Sequence, residues 1–429
     1  MQKVLIISYF FPPCNLTASQ RAYSWAQQLH QFGFYPIVLT RRWDNKINKL
    51  ADVSIATQTE VVIEKNQYYE VHYLPYYSNL RDKIYLKYGD AKFTFIRRLL
   101  TFLELLIQPV TNFVIPYKNI FDYADVLCAS DSTIKKAVIT GNPFNFYKLG
   151  YNLQKKHSVN WIADYRDAWT TSEINAIGRS CIFKIVNFWE AFFEKKWVST
   201  ASIITASSQP IADSIHAFVH KPAHALFNGF VSSDFNKINH LSKFGEFTVT
   251  YVGTLYDGQK IEIFCDALKQ FIDSQQQPQI KFLLPGLAFY ERQQERIISI
   301  MRGYEGYFEC TPRMERNRIL EIEKQSHLLL HVAWDEQKGI IASKIYEYLA
   351  SGTKILVVPS DKGSIQEIVL SSETGNCFST TEETFLFLKE KYERFKMNIV
   401  EINDTSTSKV LQYSRERQTQ KLADLITSI

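Results

Sequence analysis

Apolar residues along the chain fall into two rhythms. Residues 4–8, Val4-Leu5-Ile6-Ile7-Ser8, form a continuous apolar run bounded by Phe11-Pro12-Pro13, the length and character of a strand buried on both faces. Ala22, Trp25, Leu29 and Phe32 then recur at helical spacing, and Gly33 stands where a helix C-terminus favours it. Residues 36–40 are a second strand-like run. Strand, helix and strand in that order predict a βαβ opening and a doubly wound parallel sheet. Further strand-like runs lie at 126–130, 161–165 and 202–207.

A second series begins at residues 248–253 and continues through 282–286, 328–332 and 354–359. The polar stretch 239–246 separates the two. The expected architecture is α/β, with Rossmann-like domains at 1–240 and 241–412 and a last helix within 413–429. Two such halves imply a ligand cleft between them. Residues 41–125 are less regular: Tyr and Lys dominate 68–92, and an apolar segment, 93–117, carries Arg97 and Arg98 near its start.

Composition agrees with two cores. The chain has 429 residues, 46% of them hydrophobic, whereas single cores stop growing at roughly 250–300 residues. A net charge of +5 is a mild basic bias. It suits phosphates or an anionic membrane face and does not call for nucleic acid. The six cysteines are scattered without a CxxC pair, as buried small apolar residues of a reducing, cytoplasmic compartment would be. The first eight residues lack a signal-peptide pattern. No apolar stretch reaches the roughly 20 residues that span a bilayer; Glu104, Gln108 and Pro109 interrupt the closest, 99–116.

Three segments are candidates for chemistry. In 341–352, Ser343 is a candidate N-cap, Ile345, Tyr348 and Leu349 form an apolar stripe, and Gly352 ends the helix. A strand, a loop at 334–341 and this helix would aim backbone N–H groups at a phosphate. Lys344 adds a cation, and Glu347 could accept two ribose hydroxyls; a solvated Lys and Glu on a packing helix is the alternative. Residues 164–169, Asp164-Tyr165-Arg166-Asp167-Ala168-Trp169, follow a strand. They either orient sugar hydroxyls or form an Arg–Asp pair that pins the loop. The βα loop from Gly253 and Thr254 to Lys260 could approach a diphosphate, though it lacks the full GxGxxG and P-loop patterns. His216, His220 and His224 are spaced like a metal face, but Pro222 breaks the helix and no carboxylate or Cys completes the set.

These segments together resemble the retaining glycosyltransferases of the GT-B fold, family four, in the bacterial branch that builds surface polysaccharide and lipopolysaccharide. Tyr9 to Pro13 followed by Arg21 is similar to that branch's first strand–loop–helix, and Asp164 to Trp169 to its DFRDPW signature. Asn228-Gly229-Phe230 resembles its NGF turn, and Tyr251 to Tyr256 the strand that opens its second domain. Lys344 to Gly352 resembles its K-[IL]-[FY]-E-Y-L-A-[SA]-G segment, and Thr374-Gly375 its late TG. The resemblance implies a nucleotide-sugar donor, commonly UDP-linked, on the C-terminal domain and a glycan or polyprenyl-diphosphate-linked glycan acceptor on the N-terminal one. It implies Glu347 on the ribose, Lys260 and Lys344 on the diphosphate, and backbone of Gly339, Ile340 and Ile341 near the donor sugar. Asp164, Arg166 and Asp167 would face the reacting centre. Neither metal nor cofactor is implied; the nucleotide sugar is a substrate. The last helix would pack back across the domains.

Three departures from the family pattern stand out. Gly339 occupies the place of the first of two paired glutamates, Thr254 that of a basic residue, and Cys14-Asn15-Leu16 that of a Gly-Gly loop. A nucleotide-sugar epimerase of the same fold and a degenerate binding relative are the competing functions. Arg81, Lys83, Lys87, Lys92, Arg97 and Arg98 ahead of an apolar segment suggest a peripheral site on the cytoplasmic face of the inner membrane; an ordinary core helix with a basic end is the alternative.

Overall fold

The computed structural model describes residues 1–429 except Asn45, Asn48, 173–180 and 335–338. The chain divides into two compact units, Met1–Phe227 with Thr419–Ile429, and Asn228–Gln418.

The first unit carries strands β1 Gln2–Ile7, β2 Phe34–Arg41, β3 Val62–Lys65, β4 Glu70–Leu74, β5 Lys136–Thr140, β6 Asn160–Tyr165, β7 Ile203–Ala206 and β8 Ala223–Ala225. Their order is β3-β4-β2-β1-β5-β6-β7-β8. All pairs are parallel except the edge pair β3–β4. Alternation splits β1 between two cores: Leu5 and Ile7 join one face, Val4 and Ile6 the other. Leu422, Ala423 and Ile426 of the final helix complete the second face with Trp25 and Leu29.

The second unit carries β9 Phe247–Thr250, β10 Ile280–Leu284, β11 Phe308–Cys310, β12 Leu328–His331, β13 Lys354–Val357 and β14 Gly375–Cys377. Their order is β11-β10-β9-β12-β13-β14, all parallel. Strand order reverses at β1 and again at β9, so each unit has a topological switch point beside its first strand.

Three sequence expectations change. Residues 126–130 are not a strand but the end of the helix Lys118–Ser130. Val126 is exposed, while Ile120, Phe121, Ala124 and Cys128 are buried at helical spacing; a short apolar run does not by itself distinguish the two periods. The strand is β5, ten residues further on. The division between units falls at Phe227/Asn228 rather than at 240. The backbone there is held within the second unit: Phe230 N–H donates to Tyr413 O, and Arg415 N–H donates to Phe230 O. Ser343 adopts helical torsions and makes no side-chain cap. Gly352 does end that helix, at φ +73°.

The helix Thr94–Ile107 follows its amphipathic pattern but has no buried residue, so it is not a core helix. No helix among the described residues is long and apolar enough to cross a membrane.

Candidate functional site

In the second unit the switch point gathers several predicted residues. The Tyr348 hydroxyl accepts from Val252 N–H at 2.9 Å and lies 3.3 Å from Leu330 O, which joins the helix Lys344–Ser351 to the ends of β9 and β12. Lys344, at the start of that helix, donates from Nζ to Val252 O at 2.8 Å and lies 3.7 Å from the Tyr251 ring centroid. Burial pulls its pKa down to about 7, and the charge of Glu323 opposes that shift. Glu323 is wholly buried, and neither carboxyl oxygen meets a hydrogen-bond partner among the described residues; desolvation holds it well above the usual carboxylate range. Lys344 is therefore a cation site held on neutral groups, and an arriving anion would favour its charged form.

One turn on, Glu347 Oε1 accepts from Arg316 Nη2 at 2.8 Å, and Arg316 Nη1 reaches Asp234 Oδ2 at 2.6 Å. The ion pair holds Glu347 through Oε1. Arg316 and Asp234 carried no local sequence signature; one opens a helix at 316 and the other lies in the short helix after the Asn228–Phe230 turn. Gly339, Ile340 and Ile341 are half-buried in the loop before Lys344; residues 335–338 of that loop lie outside the described residues. Gly253 is exposed at φ +92°, Thr254 Oγ1 bonds Tyr290 Oη at 2.9 Å, and Lys260 is exposed at the end of the same loop.

In the first unit, Asp164 is enclosed by protein. It is 0% exposed. Arg21 Nε and Nη2 grip its two oxygens at 3.0 and 2.6 Å, and Thr205 Oγ1 donates to Oδ1 at 2.7 Å. The ion-pair partner of Asp164 is Arg21, not the Arg166 of its own segment. Tyr165 and Thr170 anchor the same loop by donating to buried Glu194. Arg166 is half-buried, with its guanidinium 5.8 Å from the Phe10 ring centroid and 3.9 Å from Asp167. Asp167 is largely exposed. Trp169 is packed face to face with Phe144, 5.1 Å away at 7°.

A cavity of about 430 Å³ opens at the carboxyl ends of β1, β5 and β6, where Tyr9, Phe10, Phe144 and Trp169 meet Glu104, Asn145 and Glu190. It drew on scattered segments, and nothing in the sequence pattern marked Glu190. Burial, reinforced by the charge of Glu194, pushes its carboxyl up to about 7, against a hydrogen bond from Trp169. Among the described residues no three His, Cys, Asp or Glu side chains are grouped to hold a metal ion.

No protein-family model and no curated protein sequence matches the chain. Solved structures do. Sucrose-phosphate synthase from Thermosynechococcus elongatus matches 100% of this chain and 99% of its own, at TM-score 0.64 and 13% identity. A glycosyltransferase from Rickettsia africae ESF-5 matches 99% and 98%, at 0.61 and 9%. HepE from Anabaena, solved in complex with UDP and glucose, matches 100% of both chains at 0.57 and 11%. The chain has the GT-B fold. Identities this low carry the fold and nothing finer. Within GT-B, β1 and β9 open the two Rossmann-like units, and the Lys344 helix follows the fourth strand of the second.

Proposed function

We propose that the chain is a glycosyltransferase that moves a sugar from a UDP-linked donor to a glycan or lipid-linked glycan acceptor, with retention of configuration, in the building of surface polysaccharide or a related glycoconjugate. One observation carries this: in the second unit of a GT-B fold, Lys344 lies at the switch point with a neutral carbonyl as its acceptor, one turn before a carboxylate held by Arg316. The fold neighbour solved with UDP and glucose supports the nucleotide class.

In this scheme the donor's diphosphate leaves as negative charge develops on it. Lys344, Lys260 and backbone N–H groups of Gly339, Ile340 and Ile341 meet that charge, so protein groups rather than a metal ion stabilise it. Glu347 accepts from the ribose hydroxyls. The departing phosphate takes the acceptor hydroxyl's proton, and no protein nucleophile is required. Arg166 and Asp167 face the acceptor, on a loop whose position Asp164 fixes.

The test is a thermal-shift series with UDP, GDP, ADP and dTDP on the native protein and Glu347→Ala. A shift with UDP that the variant loses is expected; a shift with UDP unchanged by Glu347→Ala removes Glu347 from the site. Gly339, standing where the family has a first glutamate, favours a second function, a binding protein that holds the donor without transferring it. UDP-glucose binding without sugar release or transfer to any glycan would establish that alternative.

The acceptor partner includes an anionic bilayer surface. Phe95, Leu99, Leu103 and Ile107 are exposed along one helix, and Ile185, Phe188 and Phe192 along the helix Cys181–Val198. Trp189 Nε1 donates to Leu106 O at 3.1 Å and ties the two together. Lys83 and Lys87 are exposed on the preceding helix Leu80–Tyr88, Lys92 in the turn after it and Arg98 on the helix Thr94–Ile107 itself, so positive charge flanks this apolar segment in the chain. Apolar side chains beside cations match the headgroup boundary of an anionic leaflet. Flotation with phosphatidylglycerol vesicles but not with phosphatidylcholine vesicles is expected, and loss of flotation in Phe95→Glu/Phe188→Glu. Absence of flotation with either lipid removes the membrane from the proposal.

A further inference from the structure

The cavity of the first unit carries an electrostatic asymmetry. Among the described residues three carboxyls line it, from Asp82, Glu104 and Glu190, against one guanidinium, from Arg81. Two of the three are already engaged. Asp82 accepts from Tyr76 Oη at 2.6 Å and Ser54 Oγ at 3.2 Å. Glu104 accepts from Asn79 Nδ2 at 2.7 Å and pairs with Arg81 at 2.9 Å.

Glu190 differs. Among the described residues its donor is the Trp169 side chain, and no ion pair reaches it. An ionised carboxylate has about four acceptor positions, so Glu190 keeps acceptor capacity on a wall of the cavity. Leaving that capacity unmet in a buried place is unfavourable, and burial accordingly raises the group towards its neutral form. A ligand that brings hydroxyl donors reverses this.

The remaining walls set the ligand's shape. Tyr9, Phe10 and Phe144 offer ring surfaces, and Gln108 offers an amide, fixed at its oxygen by Asn145 Nδ2 at 3.5 Å. At about 30 Å³ per water, 430 Å³ is room for on the order of a dozen waters, enough for a hexosyl unit with its hydroxyls. Aromatic rings take the apolar C–H face of such a unit, and an amide and a carboxylate take its rim. A uronate or phosphate here would bring a second negative charge against Glu190 with no unpaired guanidinium among the described lining residues to offset it, which costs more in a desolvated site than in water.

We propose that this cavity seats an uncharged, hydroxyl-rich glycosyl unit of the acceptor, and that Glu190 is the specificity-determining residue that accepts its hydroxyls and refuses an acidic sugar. The proposal rests on the transferase function above and names the acceptor's class.

Saturation-transfer NMR on the full-length protein tests it, with methyl glycosides of glucose, galactose, mannose and N-acetylglucosamine against methyl glucuronide. Transfer to at least one uncharged glycoside and none to the glucuronide is expected. Glu190→Gln keeps an oxygen for the Trp169 N–H but replaces charge with an amide, so the responding glycoside should bind at least tenfold more weakly. No response from any uncharged glycoside, an equal response from the glucuronide, or unchanged affinity in Glu190→Gln overturns the proposal. The glucuronide comparison uses native protein alone and stands even where the variant fails to fold. UDP binding by thermal shift reads the other unit: a UDP shift with no glycoside response sinks this inference alone, whereas glycoside binding without any nucleotide shift sinks the transferase function.

Discussion

Arg21 and Asp164 form a two-pronged ion pair inside the first unit, Nε to Oδ2 at 3.0 Å and Nη2 to Oδ1 at 2.6 Å, with both side chains closed to solvent. Thr205 donates to the same carboxylate, and Arg21 Nη1 reaches Phe227 O at 3.2 Å. The pair therefore joins the helix after β1 to β6, β7 and the last residue of the first stretch of the unit. Removing one partner of such a pair leaves a buried charge without compensation. Asp164→Asn and Arg21→Ala should each lose about 3–5 kcal/mol of stability, read by urea unfolding of tryptophan fluorescence. Arg21→Met combined with Asp164→Leu should recover part of that loss. Equal stability of Asp164→Asn and the native protein would show that the pair does not anchor the loop.

The fold was legible where burial on both faces makes strands into continuous apolar runs, as at Val4–Ile7, Trp161–Tyr165 and Leu328–His331. It was illegible where a run of the same length belonged to a helix, as at Val126–Cys128, and where Lys135 and Lys136 disguised the start of β5. At the site, Lys344 and Glu347 were visible because one helical turn separates them. The pairing of Arg21 with Asp164, 143 positions away, and of Arg316 with Glu347, 31 positions away, was not: side-chain pairs across a fold leave no local spacing. Glu190 was hidden for the same reason. Its character comes from burial, with Trp169 and Glu194 beside it, and its sequence neighbours present only an amphipathic helix.

Gly150 inverts the usual rule for glycine in a helix. It lies within the helix Phe146–His157, where Ala normally stabilises by about 1 kcal/mol. A Cβ there would stand 2.7 Å from the buried Trp161 ring. Gly150→Ala should instead destabilise by about 1–3 kcal/mol through overpacking. Urea denaturation checks the sign, and a gain in stability would mean that the Trp161 ring moves aside without cost.

In the proposed transferase, Arg316 positions the nucleotide-binding carboxylate of Glu347. The pair is partly solvent-exposed, so its loss should change stability little. Arg316→Ala should nevertheless weaken UDP binding about tenfold, because the Glu347 carboxylate is no longer held; that is about 1.4 kcal/mol. Calorimetric titration of Arg316→Ala, Glu347→Ala and the double variant should give non-additive losses. Strict additivity would separate the two residues.

Lys344 should make donor binding depend on pH. With its pKa lowered to about 7, the ligand-free lysine is charged below neutrality and mostly neutral by pH 8.5. The groups around it are Glu323, raised towards neutrality by burial, and His331, held neutral by burial and by Lys344 itself; neither supplies a fixed counter-charge. A sugar diphosphate diester such as UDP-glucose keeps its charge throughout this range, so its own titration is silent. Affinity for UDP-glucose should fall by about tenfold between pH 6.5 and 8.5, since one pKa unit corresponds to about 1.4 kcal/mol. Stability of the ligand-free protein should move the opposite way. The unfolded lysine titrates near 10.5 and binds more protons than the folded one above about pH 7, so this group's destabilisation, full below pH 7, is relieved as pH rises towards 10.5. Calorimetry across the pH series, with Lys344→Met as the comparison, checks the binding half. A flat profile in the variant and a falling one in the native protein are expected; a flat profile in both would remove Lys344 from the diphosphate.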